Sequence, residues 1–161
     1  MDHLWTPWRY RYVSTAGEAV GCLFCNKAAE SDDRKNYVLL RAELNFVMLN
    51  LYPYSPGHLM IAPYAHVATL EESDPRALQE MMLLAQKTEA ALRSVYQPQG
   101  LNLGINVGRS AGAGVPGHLH LHVLPRWAGD TSFITTVAET RVLPEDLDVT
   151  YERLSAVLGK A

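Results

Sequence analysis

The sequence predicts an α+β domain built on a largely antiparallel sheet, and three observations lead there. Short apolar runs bounded by turn residues recur at Tyr37–Leu40, Phe46–Asn50, His58–Pro63, Leu101–Val107 and His118–Pro125, with a sixth at Phe133–Val137. A single long helical pattern interrupts them between Pro75 and Tyr96. A second, shorter helical pattern closes the chain. Consecutive strands with one inserted helix favour hairpin connections over parallel crossovers.

Each element has a local reason. Ser73 or Asp74 can cap the long helix and Pro75 suits its first position; Leu78, Met81, Met82, Ala85, Leu92 and Val95 repeat along one face, and Pro98 and Gly100 stop it. The last helix is expected to start at Pro144, where Leu147, Tyr151, Leu154 and Leu158 repeat at steps of three and four before Gly159. Leu51-Tyr52-Pro53-Tyr54-Ser55-Pro56-Gly57 has the prolines and glycine of a hairpin loop between the second and third runs. Leu4 to Tyr12 carries Trp5, Trp8, Tyr10 and Tyr12, too aromatic for a tail in water, and is expected to pack as an arm on its own domain or on a partner subunit.

Composition narrows the function. A chain of 161 residues fits one domain, 48% apolar and 19% charged residues are ordinary for a globular protein, and a net charge of −3 without a Lys/Arg run argues against a nucleic-acid or membrane surface. The first residues lack the basic-then-apolar pattern of a secretory signal, and no apolar stretch reaches the roughly 18 residues of a membrane span, so a cytoplasmic location is expected. In a reducing compartment the pair Cys22-x-x-Cys25 reads as metal or redox chemistry rather than a disulfide. A thioredoxin-like role would need the pair to open a helix after a parallel strand, which the pattern does not offer.

The chemistry concentrates in His118-Leu119-His120-Leu121-His122-Val123. In an extended chain this alternation puts three of the protein's six histidines on one face and the aliphatic residues on the other. Packing alone is a poor reason for three imidazoles side by side, because every ring brings nitrogens that need partners. Residues two apart on a strand are separated by about 6.6 Å, so His118 and His122 lie about 13 Å apart and at most two neighbours can share one metal ion. A remaining neutral imidazole is a competent nucleophile toward phosphorus near neutral pH. Immediately upstream, Gly108-Arg109-Ser110-Ala111-Gly112-Ala113-Gly114-Val115-Pro116-Gly117 is a glycine-rich loop able to turn N–H groups toward an anion, although it has neither a Walker ending nor a helix after it.

With its Pro125-Arg126 continuation, this motif resembles the signature of the histidine triad (HIT) family. Cys22-Leu23-Phe24-Cys25 resembles the family's early cysteine pair, and Asn50 with Ser55-Pro56-Gly57-His58 resembles its ribose-contacting loop. Leu4-Trp5-Thr6-Pro7-Trp8-Arg9 and Pro125-Arg126-Trp127-Ala128-Gly129-Asp130 resemble the bacterial branch that includes diadenosine tetraphosphate phosphorylases, itself Fhit-like. The resemblance implies a HIT-like fold with a five-stranded or larger antiparallel sheet and two main helices, and a homodimer that binds an adenine nucleotide or dinucleoside polyphosphate. It divides the chain into an N-terminal arm (1–20), a HIT domain (21–137) and a C-terminal helical extension (138–161).

Carried over by position, His120 resembles the nucleophile that forms a nucleotidyl-histidine, His122 the partner that stabilises charge at the phosphate, and His118 the first triad residue, structural or zinc-binding. Asn50 matches the ribose-holding position and Asn106 the amide on the phosphate side; Gly108, Gly114 and Val115 belong to the phosphate loop, and Trp127 is a candidate to border the base. Cys22, Cys25, His66 and His118 would make a closed structural zinc site, the only cofactor implied. Where the hydrolase branch carries Gln-Thr-Val or Gln-Ser-Val before the triad, this chain has Gly114-Val115-Pro116. Loss of that amide removes a group that could position water and leaves room for inorganic phosphate, which favours phosphorolysis over hydrolysis. The competing readings are a nucleoside phosphoramidate hydrolase of the same family, a hydrolase with an open catalytic zinc, and a nucleotide-binding protein without chemistry.

Overall fold

A computed structural model describes residues 21–130 and 145–159. In chain order these form α1 (Leu23–Ala29), α2 (Asp33–Asn36), β1 (Val38–Arg41), β2 (Asn45–Leu49), β3 (Leu59–Pro63), α3 (Pro75–Tyr96), β4 (Gly100–Ile105), a 3-10 turn (Arg109–Ala111), β5 (Leu121–Arg126) and α4 (Leu147–Leu158). The five strands make one sheet in the order β1-β2-β3-β5-β4, with every neighbouring pair antiparallel. The expected α+β architecture is therefore present, and the long helix spans its predicted residues, with the Asp74 side chain accepting from the Arg76 N–H at its start.

The sheet has apolar cover on both faces, which is why β2 and β3 are continuous buried runs rather than alternating ones. One face sends Val47, Leu49, Leu59, Ile61, Leu121 and Val123 against Met81, Leu84, Ala85 and Leu92 of α3 and Leu154 and Leu158 of α4. A side chain of this size contributes about 1.5–3 kcal/mol when fully buried. Leu154 and Leu158 are buried here, so α4 helps complete the main core. The opposite face gathers Phe24, Val38, Phe46, Met48, Met60 and Ala62.

Several boundaries differ from the sequence reading, and two short helices are additional. The β5 ladder begins at Leu121, not His118, because the Leu119 N–H donates to the Val67 carbonyl and the His118 N–H to the Val115 carbonyl instead of to a neighbouring strand. Helix α4 begins at Leu147 after Asp146. The helices α1 and α2 were not expected: at seven and four residues they are too short to show a period. The aromatic arm, the sixth strand at Phe133–Val137 and Pro144 lie outside the described residues. Among the described residues no helix is long and apolar enough to cross a membrane.

The β2–β3 connection turns at Gly57, whose φ of +75° suits glycine and whose added Cβ would stand 2.9 Å from Leu92 Cδ2 and 3.1 Å from Tyr96 Cε2. Gly57→Ala is expected to destabilise the fold by about 1–3 kcal/mol through strain and overpacking, read as a lower urea midpoint at unchanged slope. An unchanged midpoint would contradict this account of the turn.

Candidate active site

The alternation of the histidine segment survives although only its second half is in the ladder. Leu119, Leu121 and Val123 enter the α3-side core, while the rings of His118 and His120 meet Phe24 on the other side at 5.1 and 4.7 Å, and His120 and His122 meet edge to face at 4.8 Å. Register fixes what else reaches this face. His122 is opposite Met60 on β3 and Gly104 on β4, and Leu121 is opposite Ile105, so the same register continued by one residue sets Asn106 across from His120. The Asn50 N–H donates to the His58 carbonyl at the end of the β2–β3 hairpin, bringing Asn50 and His58 to the same side as His122.

Hydrogen bonds separate the roles of the three rings. His120 Nδ1 lies 2.8 Å from the His118 carbonyl, which can only accept, so Nδ1 carries the proton and Nε2 the lone pair. Among the described residues Nε2 has no hydrogen-bond partner, yet it is not a sealed, unsatisfied atom. His122 has the opposite tautomer. The Tyr54 N–H donates to His58 Nδ1 at 3.1 Å, which leaves the His58 proton on Nε2, and Nε2 donates at 2.9 Å to His122 Nδ1. The neutral His122 therefore keeps its proton on Nε2. One ring offers a lone pair and its neighbour an N–H.

Burial keeps both rings neutral. Desolvation lowers the pKa of His120 despite the opposing bond to His118, and desolvation together with the adjacent His120 pushes His122 down to about 4. His58, absent from the expected catalytic set, is the residue sequence reasoning missed; its place in Ser55-Pro56-Gly57-His58 was the available signal.

The structure unites the four expected metal ligands. Cys22 Sγ is 3.3 Å and Cys25 Sγ 3.6 Å from His118 Nδ1, Cys25 Sγ is 3.3 Å from His66 Nδ1, and all four donor atoms lie within 4.8 Å of one another. Tetrahedral zinc with bonds of about 2.3 Å to sulfur and 2.0–2.1 Å to nitrogen separates those atoms by about 3.5 Å, so the quartet fits. His118 Nε2 donates to the Pro63 carbonyl at 2.8 Å, presenting the Nδ1 lone pair to the thiols. Both nitrogens of His118 are thereby engaged. Neither nitrogen is left for a phosphate.

The loop before the triad uses glycine where the backbone demands it, at Gly108 and Gly112, both with φ of +83°. Val115 packs beside Phe24 and Phe46, while Gly114 is exposed. Asn50 is engaged locally: its Oδ1 accepts from the Tyr52 N–H at 2.9 Å and its Nδ2 lies 3.4 Å from both ring nitrogens of His58. Trp127 is not brought to the triad; its ring meets Tyr96 of α3 at 6.5 Å, on the helix side.

Comparison with known proteins follows this geometry. The HIT domain model matches residues 31–129. The chain is 38% identical over 152 residues to a Mycobacterium tuberculosis AP-4-A phosphorylase, covering 90% of this chain and 78% of that protein. It is 33% identical over 95 residues to the Schizosaccharomyces pombe asymmetrical bis(5'-nucleosyl)-tetraphosphatase, covering 59% and 52%. The Zn-bound histidine triad family protein of Mycobacterium smegmatis superposes with a TM-score of 0.69 at 27% identity, covering 87% of this chain and 94% of that one.

With a folded pKa of about 4 against an ordinary value near 6.5, His122 is neutral at pH 7, and its burial costs stability only as protons become available. Its contribution is complete above pH 6.5 and is lost as pH falls toward 4, because over that window the unfolded state binds the extra proton. A ring-carbon NMR titration should place the His122 midpoint near 4. A midpoint at 6 or above would contradict the tautomer assignment.

Proposed function

The chain belongs to the HIT domain family, and on that premise we propose that it cleaves the phosphate chain of dinucleoside polyphosphates of the diadenosine tetraphosphate type, with His120 as nucleophile. The observation that carries this reading is the pair of opposed tautomers. His120 Nε2, its lone pair held outward by the Nδ1 bond to His118, attacks the α-phosphorus, and the bond to the bridging oxygen breaks to expel ATP. His122, neutral with its proton on Nε2, donates to the phosphate oxygens while charge redistributes. Asn106 and the N–H groups of the Gly108–Gly117 loop add fixed dipoles to the same phosphate, and Asn50 holds the ribose. A second acceptor then attacks the nucleotidyl-histidine and restores the lone pair.

Inorganic phosphate is the favoured acceptor. Gly114 supplies no side chain where the resembling hydrolases carry glutamine, and the phosphorylase named above is similar across most of its length. Diadenosine tetraphosphate plus phosphate then gives ATP and ADP, whereas water would give ATP and AMP.

Cys22, Cys25, His66 and His118 would hold a structural zinc that fastens α1 and the start of the triad segment; the reaction itself is routed through the imidazoles. Reduced thiols gathered for a metal suit the cytoplasm. A second copy is the natural occupant of the β4 edge, where Asn102, Leu103 and Gly104 are exposed, so we propose a homodimer with one site in each 21–137 unit.

The test is product analysis of a diadenosine polyphosphate panel with and without inorganic phosphate. ADP and ATP are expected from the tetraphosphate when phosphate is present, and His120→Asn should lower turnover by more than about a thousand-fold. AMP irrespective of phosphate would overturn phosphorolysis; undiminished turnover by the His120 variant would overturn the nucleophile. Preferential cleavage of a nucleoside phosphoramidate would favour that related activity instead.

A further inference from the structure

We propose that Phe24 is a positioning residue for His120, and that through it the alignment of the nucleophile depends on the metal held by the thiols at either side. The proposal rests on the functional reading above and adds a residue to it. Phe24 sits between Cys22, the residue capping α1, and Cys25, one turn along, with only 1% of its surface exposed. Its ring lies 5.1 Å from His118 and 4.7 Å from His120, tilted by 40° and 36°, and is backed by Phe46 at 6.4 Å. One side chain thus spans the first and second triad rings.

Among the described residues the His120 ring is engaged by one hydrogen bond and by two further rings. A single hydrogen bond at Nδ1 fixes its tautomer but leaves rotation about the final side-chain torsion, which is broad for an imidazole. The faces it packs on must set its plane, and these are Phe24 and the edge of His122. Phe24 is held in turn by α1, a helix of seven residues whose N-terminal Cys22 makes no side-chain capping bond. So short a helix does not persist by its own backbone bonds and depends on tertiary anchors. Metal bonds at Cys22 and Cys25 supply two anchors immediately around Phe24. A rotation of the imidazole too small to disturb nucleotide binding would take Nε2 off the line of attack, and misalignment of that order costs about a hundred-fold in rate.

Phe24→Leu keeps an apolar side chain but removes the flat face. The expected result is unchanged zinc stoichiometry by elemental analysis, KM for diadenosine tetraphosphate within about two-fold, and kcat lowered about 10–100-fold. A readout independent of turnover is carbethoxylation of His120 by diethyl pyrocarbonate, mapped by mass spectrometry. Stripping zinc from the wild-type protein should change the His120 modification rate several-fold, while the difference between loaded and stripped Phe24→Leu protein should be clearly smaller, the non-additivity expected of a shared path. Unchanged kcat in Phe24→Leu, or a wild-type modification rate indifferent to zinc, overturns the proposal. If Phe24→Leu fails to fold, Phe24→Met and the wild-type zinc comparison decide it. Absence of wild-type turnover on any polyphosphate would instead defeat the functional reading, with the modification comparison still reporting on Phe24.

Discussion

Everything at this site depends on the hydrogen bond from His120 Nδ1 to the His118 carbonyl, 2.8 Å long and two residues apart in sequence. A backbone carbonyl has no proton to give, so it forces the imidazole into one tautomer and turns the lone pair of Nε2 outward. Burial then keeps that lone pair unprotonated, since a charged imidazolium is disfavoured where water is scarce. The same bond would make a poor general acid of His120. In the proposed reaction the N–H toward substrate would come from His122, whose tautomer is reversed through His58 and the Tyr54 N–H.

The fold supplies that carbonyl at a fixed place. His118 is tied through Nε2 to the Pro63 carbonyl, through Nδ1 to the two thiols and through its N–H to the Val115 carbonyl, while Leu119 on its other side is buried in the helix-side core. One of the four candidate metal ligands, His118, and the proposed nucleophile, His120, therefore stand two residues apart on one piece of chain. A rigid support of this kind matters more to phosphoryl transfer than acid or base strength, because positioning and electrostatics carry most of the rate.

The parts of the molecule legible in the sequence were those carried by local pattern. Alternation told the two faces of His118–Val123 apart, and the repeat from Leu78 to Val95 with Asp74 and Pro75 before it delimited the long helix. The four candidate metal ligands followed from the family resemblance, and the structure gathers their donor atoms within 4.8 Å of one another. What escaped depended on contacts distant in sequence. His58 meets His122 from 64 positions away in the chain, and nothing around either residue announces the pairing. Helix α1, seven residues long, is too short to show a period and is seated by the buried Phe24.

The central claim is that a lone pair on His120 Nε2 attacks phosphorus. Rapid acid-free quenching of the protein with diadenosine tetraphosphate labelled at the α-phosphorus, followed by peptide mapping, tests it most directly. The account predicts one acid-labile phosphoramidate per active chain, on His120 through Nε2, formed no more slowly than turnover. A fully active protein that carries no label, or carries it on another residue, would contradict it.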